Sequence, residues 1–172
     1  IDLIYPHHET EMILAEKIGL GNYCDFWMHN GLMEDAEGKL SKSRGERITL
    51  EEVFTDCPPA ALRFYLLSHH YREFTPYSPD GLLEACQEGE RLGVNAVDCM
   101  VVESTDPRDD DETASLVVKF EEALDDDLDT PKALDILREL DVIAGNRLKN
   151  KGDIGPISGM YGIFQCVLGV FS

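Results

Sequence analysis

Residues 58–71 read PPAALRFYLLSHHY, and this stretch decides the fold class. Leu62, Tyr65, Leu66 and His69 recur in the 3.6-residue rhythm of a helix that buries one face. The same rhythm continues downstream. Ser78-Pro79 is an N-cap followed by proline at the first helical position, and it predicts a long helix to about Glu103. A charged, proline-containing linker fills 104–112, and a helix is expected over about 113–124. Thr130-Pro131 repeats the start signal and opens a helix to about 148. KNKGDIGPISGM (149–160) reads as a loop, and MYGIFQCVLGVF (160–171) as an apolar terminal helix.

Upstream of residue 58 the pattern changes. Residues 1–6 read as a short buried strand ended by Pro6, and HHETEMILAEKIGLG as a helix with an apolar face of Met12, Ile13, Ala15 and Ile18. FWMHNGLM (26–33) is aromatic and then β-like, and EDAEG (34–38) is a turn. Thr49 and Glu52 have capping-box spacing. The expected fold is mostly α. A short α/β piece (1–48) leads through a connector (49–77) to an antiparallel helical bundle (78–172).

Composition narrows the function. The 172 residues carry 34 Asp and Glu against 15 Lys and Arg, a net charge of −19. A general nucleic-acid binder is basic, because neutralising phosphates supplies most of its affinity. Any RNA contact must therefore be local, and the acidic runs DPRDDDE (106–112) and DDDLD (125–129) read as solvated surface. Such a surface also suits a high-salt cytoplasm. No apolar run approaches the roughly 20 residues of a membrane span. Cys24, Cys57, Cys86, Cys99 and Cys166 contain no CxxC pair, which fits reduced thiols rather than a disulfide framework. The chain opens on Ile1, already strand-like, and reads as a piece of a longer protein.

Two patterns carry chemistry. GKLSKSRGER (38–47) holds Lys39 and Lys42 three apart, flanked by Ser41, Ser43 and Gly45. A compact ammonium on a long stem suits a polyphosphate, and its charge is most useful where negative charge develops in a transition state. Standing alone, such a loop is ordinarily surface charge. His7 and Glu11 stand at i and i+4 at a helix start, spacing that suits two ligands of one zinc ion. The plainer alternative is a helix-start histidine beside a dipole-stabilised glutamate.

KLSKS resembles the KMSKS loop of class I aminoacyl-tRNA synthetases, with Leu40 in place of Met. DLIYPHHETE (2–11), WMHNGLM (27–33), KLSKS (39–43) and ALRFYLLSHHYREFTPYS (61–78) occur in one order at separations that resemble cysteinyl-tRNA synthetase. FEEALDDDLDTPKAL (120–134) resembles the helical domain of that family. The resemblance implies a cytoplasmic, monomeric enzyme with a Rossmann-like catalytic domain. It would activate cysteine with ATP and Mg2+ and transfer it to tRNA(Cys).

Residue by residue, the resemblance implies that Lys39 and Lys42 are catalytic and bind ATP with Asp2, Ser41 and Ser43. Asp2 would accept from the ribose hydroxyls. His8 and His29 would line the amino-acid pocket, with Trp27 packed beneath it. Arg72 would contact tRNA, and NRLKNKG (146–152) is a second local basic patch. His7 and Glu11 would ligate zinc, which prefers a thiolate to a hydroxyl and so selects cysteine over serine. The family's two cysteine ligands are expected upstream of Ile1, and so is the His-rich signature that partners the lysine loop. The piece alone is therefore expected to be inactive and to hold zinc weakly. A related ATP-dependent ligase joining cysteine to an amino sugar in mycothiol synthesis is the nearest rival. A non-catalytic helical interaction module is the rival from another class.

Overall fold

A computed structural model describes residues 3–35, 38–39 and 49–171. Among them are seven α-helices: α1 Glu9–Lys17, α2 Leu50–Asp56, α3 Pro59–Leu67, α4 Pro79–Met100, α5 Asp111–Asp125, α6 Thr130–Asn150 and α7 Gly155–Leu168. The strands are short: β1 Met33–Asp35, β2 Gly38–Lys39 and β3 Thr75–Pro76. The protein is mostly helical, and no described helix is long and apolar enough to cross a membrane.

Helix starts follow local chemistry. Thr49 and Glu52 close a capping box on α2: Glu52 N–H donates to Thr49 Oγ1 at 3.2 Å and Thr49 N–H to the Glu52 carboxylate at 2.9 Å. Ser78 Oγ accepts from Gly81 N–H at 3.1 Å and starts α4. The cap of α6 lies one residue earlier than expected. Asp129 accepts from Lys132 N–H at 3.0 Å, and Thr130 is already helical. The expected loop over 149–160 is also corrected, because α7 begins at Gly155. The Asp153 carboxylate accepts from Gly155 N–H at 3.0 Å, and Pro156 needs no partner for a missing N–H. Ile157, Ser158 and Met160 are then drawn into the core. A Cβ at Gly159 would lie 2.2 Å from the Thr105 carbonyl oxygen, so the close approach of α7 to that turn needs glycine.

The core is built from the helices α3 through α7. α4 packs against α3, α6 and α7, and α5 against α6. Leu134, Leu137, Leu140 and Ala144 of α6 recur at three- and four-residue intervals and are wholly buried. Phe120 of α5 meets Phe164 of α7 with ring centroids 4.6 Å apart. Full burial of side chains of this size is worth about 1.5–3 kcal/mol each. On α3 the buried residues are Ala61, Phe64 and Tyr65, while Leu66, expected on the core face, is exposed. One carboxylate lies inside: Asp141 accepts from Arg91 Nη1 at 2.8 Å, Asn95 Nδ2 at 2.9 Å and the Tyr161 hydroxyl at 3.3 Å.

Residues 3–32 pack differently. The strand expected over 1–6 is not formed by its described part: Leu3, Ile4 and Tyr5 are exposed, and Ile4–His8 forms a wide turn into α1. A strand needs a ladder partner, and none of the described strands lies beside this segment. His8 N–H instead donates back to the Leu3 carbonyl at 2.9 Å. The sheet order is β2-β1-β3, with β1 antiparallel to β2 (Glu34 opposite Lys39) and parallel to β3 (Met33 opposite Thr75). Gly31 N–H donates to the Tyr71 carbonyl at 2.6 Å and Thr75 N–H to Leu32 at 2.9 Å, joining this sheet to the connector.

Candidate functional site

The turn before α1 and the segment before β1 bring three sequence-predicted residues together. His8 Nδ1 lies 3.1 Å from His29 Nδ1, so one ring donates and the other accepts. The two rings stack at 5.0 Å, and Trp27 stands 5.0 Å from His8 and 6.4 Å from His29. Tyr23, which sequence reasoning missed, continues the row 5.8 Å from Trp27. An isolated tyrosine among glycines and asparagine carries no sequence signal for this role. Trp27 also walls a cavity of about 430 Å3 with Met12, Ile13, Tyr23 and Cys24. Aromatic faces with two imidazoles at one edge can hold a small polar ligand by stacking and hydrogen bonds. A larger cavity, about 770 Å3, shares no lining residue with this row. It is walled mainly by small and aliphatic residues of α4, such as Gly89, Gly93 and Val97.

The metal pair is incomplete on its own. His7 lies in the turn, Glu11 in the first turn of α1, and both are exposed. Cys24 is engaged elsewhere, its thiol donating to the Phe26 carbonyl at 2.7 Å. Among the described residues no three His, Cys, Asp or Glu gather where they could hold a metal ion. Zinc takes four ligands, or three and a substrate. His7 and Glu11 alone supply at most half of that set.

Of the residues expected at ATP, Lys39 enters β2, its backbone paired with Glu34. Asp2, Ser41, Lys42 and Ser43 lie outside the described residues. The capping box at Thr49 fixes where the chain leaves the lysine stretch and becomes α2.

Arg72 lies in the connector and is exposed, but it is engaged. Its Nε and Nη2 donate to Asp127 Oδ2 and Oδ1 at 2.5 and 2.9 Å, and the Tyr71 hydroxyl adds a bond to Asp127 Oδ1 at 2.7 Å. Asp127 sits between α5 and α6 at φ 55°, with Leu128 beside it at φ 58°. The Arg72 guanidinium and then the Tyr71 hydroxyl hold the Asp127 carboxyl well below the usual carboxylate range. Asp127 was not singled out in the sequence, because nothing distinguishes it within the run DDDLD. The second basic patch is reduced as well. Arg147 Nη2 bonds Asp110 at 2.7 Å and Glu112 at 2.6 Å, and its Nη1 bonds the Asp153 carbonyl at 3.0 Å. Lys149 and Lys151 remain exposed there.

Comparison with known proteins supplies the family. Residues 1–87 match the tRNA synthetases class I (C) catalytic domain, and residues 119–172 match the DALR domain. A cysteine–tRNA ligase of Paenarthrobacter aurescens is 35% identical over 175 aligned residues, covering 100% of this chain and 36% of the relative. The cysteine–tRNA ligase of Solidesulfovibrio magneticus is 34% identical, covering 99% and 39%. That of Xanthomonas euvesicatoria is 37% identical, covering 81% and 30%. The chain thus spans about a third of the length of these relatives. Since the catalytic-domain match takes in the aromatic–histidine row, the lysine stretch and the connector together, the chain belongs to the class I (C) tRNA synthetases.

Proposed function

We propose that this chain is part of a cysteine–tRNA ligase, an enzyme that joins cysteine to AMP at the expense of ATP, releases pyrophosphate, and passes the cysteinyl group to the 3′ end of tRNA(Cys). The observation that carries this reading is the alignment of the whole chain with proteins of that activity at about 35% identity. In this reading residues 1–48 belong to a Rossmann-like catalytic domain, 49–77 to a stem-side connector, and 78–172 to an antiparallel bundle facing the anticodon. The protein works in the cytoplasm as a monomer.

The roles follow from charge and position. Lys39 and Lys42 neutralise charge that develops on the phosphates of ATP, which arrives with Mg2+, and Ser41 and Ser43 donate hydrogen bonds to them. Asp2 accepts from the ribose hydroxyls. His8 and His29 face the amino acid, and Trp27 walls the pocket. His7 and Glu11 supply two of the ligands of a zinc ion that other parts of the protein complete. Arg72 reaches the tRNA backbone through the guanidinium edge that Asp127 leaves open. Catalysis is then positioning and electrostatic stabilisation.

The test is cysteine-dependent exchange of pyrophosphate into ATP by the full-length protein, with tRNA(Cys) binding measured alongside. Lys42→Ala is expected to slow exchange by about 100- to 1000-fold and to leave tRNA binding within about twofold. Equal losses in both would remove Lys42 from the phosphates. Exchange without any tRNA binding would favour a ligase with a small-molecule acceptor.

A further inference from the structure

Away from the aromatic–histidine row, two cysteines from distant parts of the chain meet. Cys57 ends α2, and Cys86 lies in the second turn of α4. Their sulfurs are 3.3 Å apart, with the Cys86 thiol directed at Cys57. Both are buried, at 3% and 9% exposure. Cys99 is wholly buried elsewhere, and Cys24 and Cys166 lie nearer the surface.

We propose that Cys57 and Cys86 form a dithiol site that a small disulfide oxidant converts to an intramolecular disulfide, joining the α2–α3 junction to α4. Geometry carries this. A disulfide needs about 2.05 Å between its sulfurs, so an approach of roughly 1.2 Å closes the bond, and a small rotamer change supplies it. Access is also present. Both residues wall one cavity of about 430 Å3 between α2 and α4, and Cys86 also borders the 770 Å3 cavity farther along the same face of α4. Cys86, open to both cavities, is the entry thiol.

The step balances in two displacements. The Cys86 thiolate attacks one sulfur of the oxidant, forming a mixed disulfide and releasing the other half as a thiolate that takes up a proton. The Cys57 thiolate then attacks Cys86 Sγ, forming the protein disulfide and releasing the second half as a thiol. Two electrons and two protons pass to the oxidant, and each sulfur of the pair is oxidised by one electron. Burial and the neighbouring Cys86 thiol push the Cys57 thiol up to about 12, so the second displacement is slow at neutral pH and accelerates in alkali. The resting pair is therefore reduced and stable until oxidant is present.

The experiment treats the folded full chain with oxidised glutathione at pH 8, follows intact mass, and maps cysteine peptides without reduction. The expected result is a loss of about 2 Da, reversed by dithiothreitol, with a peptide joining Cys57 to Cys86. The melting temperature should rise by roughly 5–10 °C, because the cross-link closes a loop of nearly thirty residues. Cys57→Ser should stop at a glutathione adduct on Cys86. Should that variant fail to fold, the wild-type peptide map decides alone. Adducts confined to Cys24 and Cys166, a disulfide between any other pair, or an unmodified Cys57 and Cys86 would overturn the proposal.

Discussion

At Gly31 a single hydrogen atom in place of a side chain holds two segments together. A Cβ there would lie 1.8 Å from the Glu73 carbonyl oxygen and 2.5 Å from its carbon. Both are backbone atoms, which cannot swing aside. Gly31→Ala should therefore separate the segment before β1 from the connector, break the 2.6 Å bond to Tyr71, and cost roughly 1–3 kcal/mol. Urea unfolding reads this directly; a loss below about 0.5 kcal/mol would mean that the contact relaxes freely. His29, two residues earlier, should lose its 3.1 Å contact with His8, visible as altered imidazole resonances in NMR. The site was legible to this depth in part. The family resemblance points to His8, Trp27 and His29, and the structure gathers them. Tyr23 and Asp127 carry no such signal: Asp127 acts through Tyr71 and Arg72, far back along the chain, Tyr23 through its ring contact with nearby Trp27, and neither has spacing or neighbours that set it apart.

Helix termini were the most readable elements, because a cap is local chemistry within four residues. Ser78 is the cleanest instance. Ser78→Ala removes the acceptor for Gly81 N–H and should lower stability by about 1 kcal/mol, whereas Ser78→Asp should restore it; equal losses in both variants would deny the cap its role. The misreadings are of another kind. The expected strand at the start lacks a partner, and the first turn of α7 reads as loop because its Gly-Pro-Ile-Ser-Gly composition hides residues that the core recruits. Between helices the ties are ionic. Arg138 of α6 holds Glu88 of α4 through two bonds of 2.7 and 2.9 Å, and Arg138 first, then Arg91, keeps the Glu88 carboxyl below its usual value. A depressed carboxyl stabilises the fold above its unfolded pKa, about 4.3, and that contribution is lost as pH falls through the lowered folded value. Glu88→Gln should therefore be less stable than wild type by about 1 kcal/mol at pH 7. The gap should hold down to about pH 5 and close below about pH 4. A gap independent of pH would assign the loss to packing.

For the whole molecule, charge is the term that such pairs do not settle. Every described arginine is committed: Arg72, Arg91, Arg108, Arg138 and Arg147 hold carboxylates, and Arg63 donates to the Leu168 carbonyl. With 34 acidic side chains against 15 basic ones, pairing still leaves an excess of 19 negative charges on a chain of this size. Runs such as 106–112 and 125–129 place several carboxylates within one Debye length at low salt, about 10 Å at 0.1 M and about 3 Å at 1 M. Two effects then compete as salt rises. Screening weakens the exposed ion pairs, each worth about 0–1 kcal/mol, and it also weakens the repulsion among unpaired carboxylates. The paired cations are few and the unpaired carboxylates many, so relief of repulsion should win. The urea midpoint is expected to rise between 0.05 and 1 M KCl, and potassium sulfate at equal ionic strength should raise it further through its own exclusion from the surface. A midpoint that falls in KCl would show that the arginine pairs outweigh the net charge, and one that rises only in sulfate would remove charge from the explanation altogether.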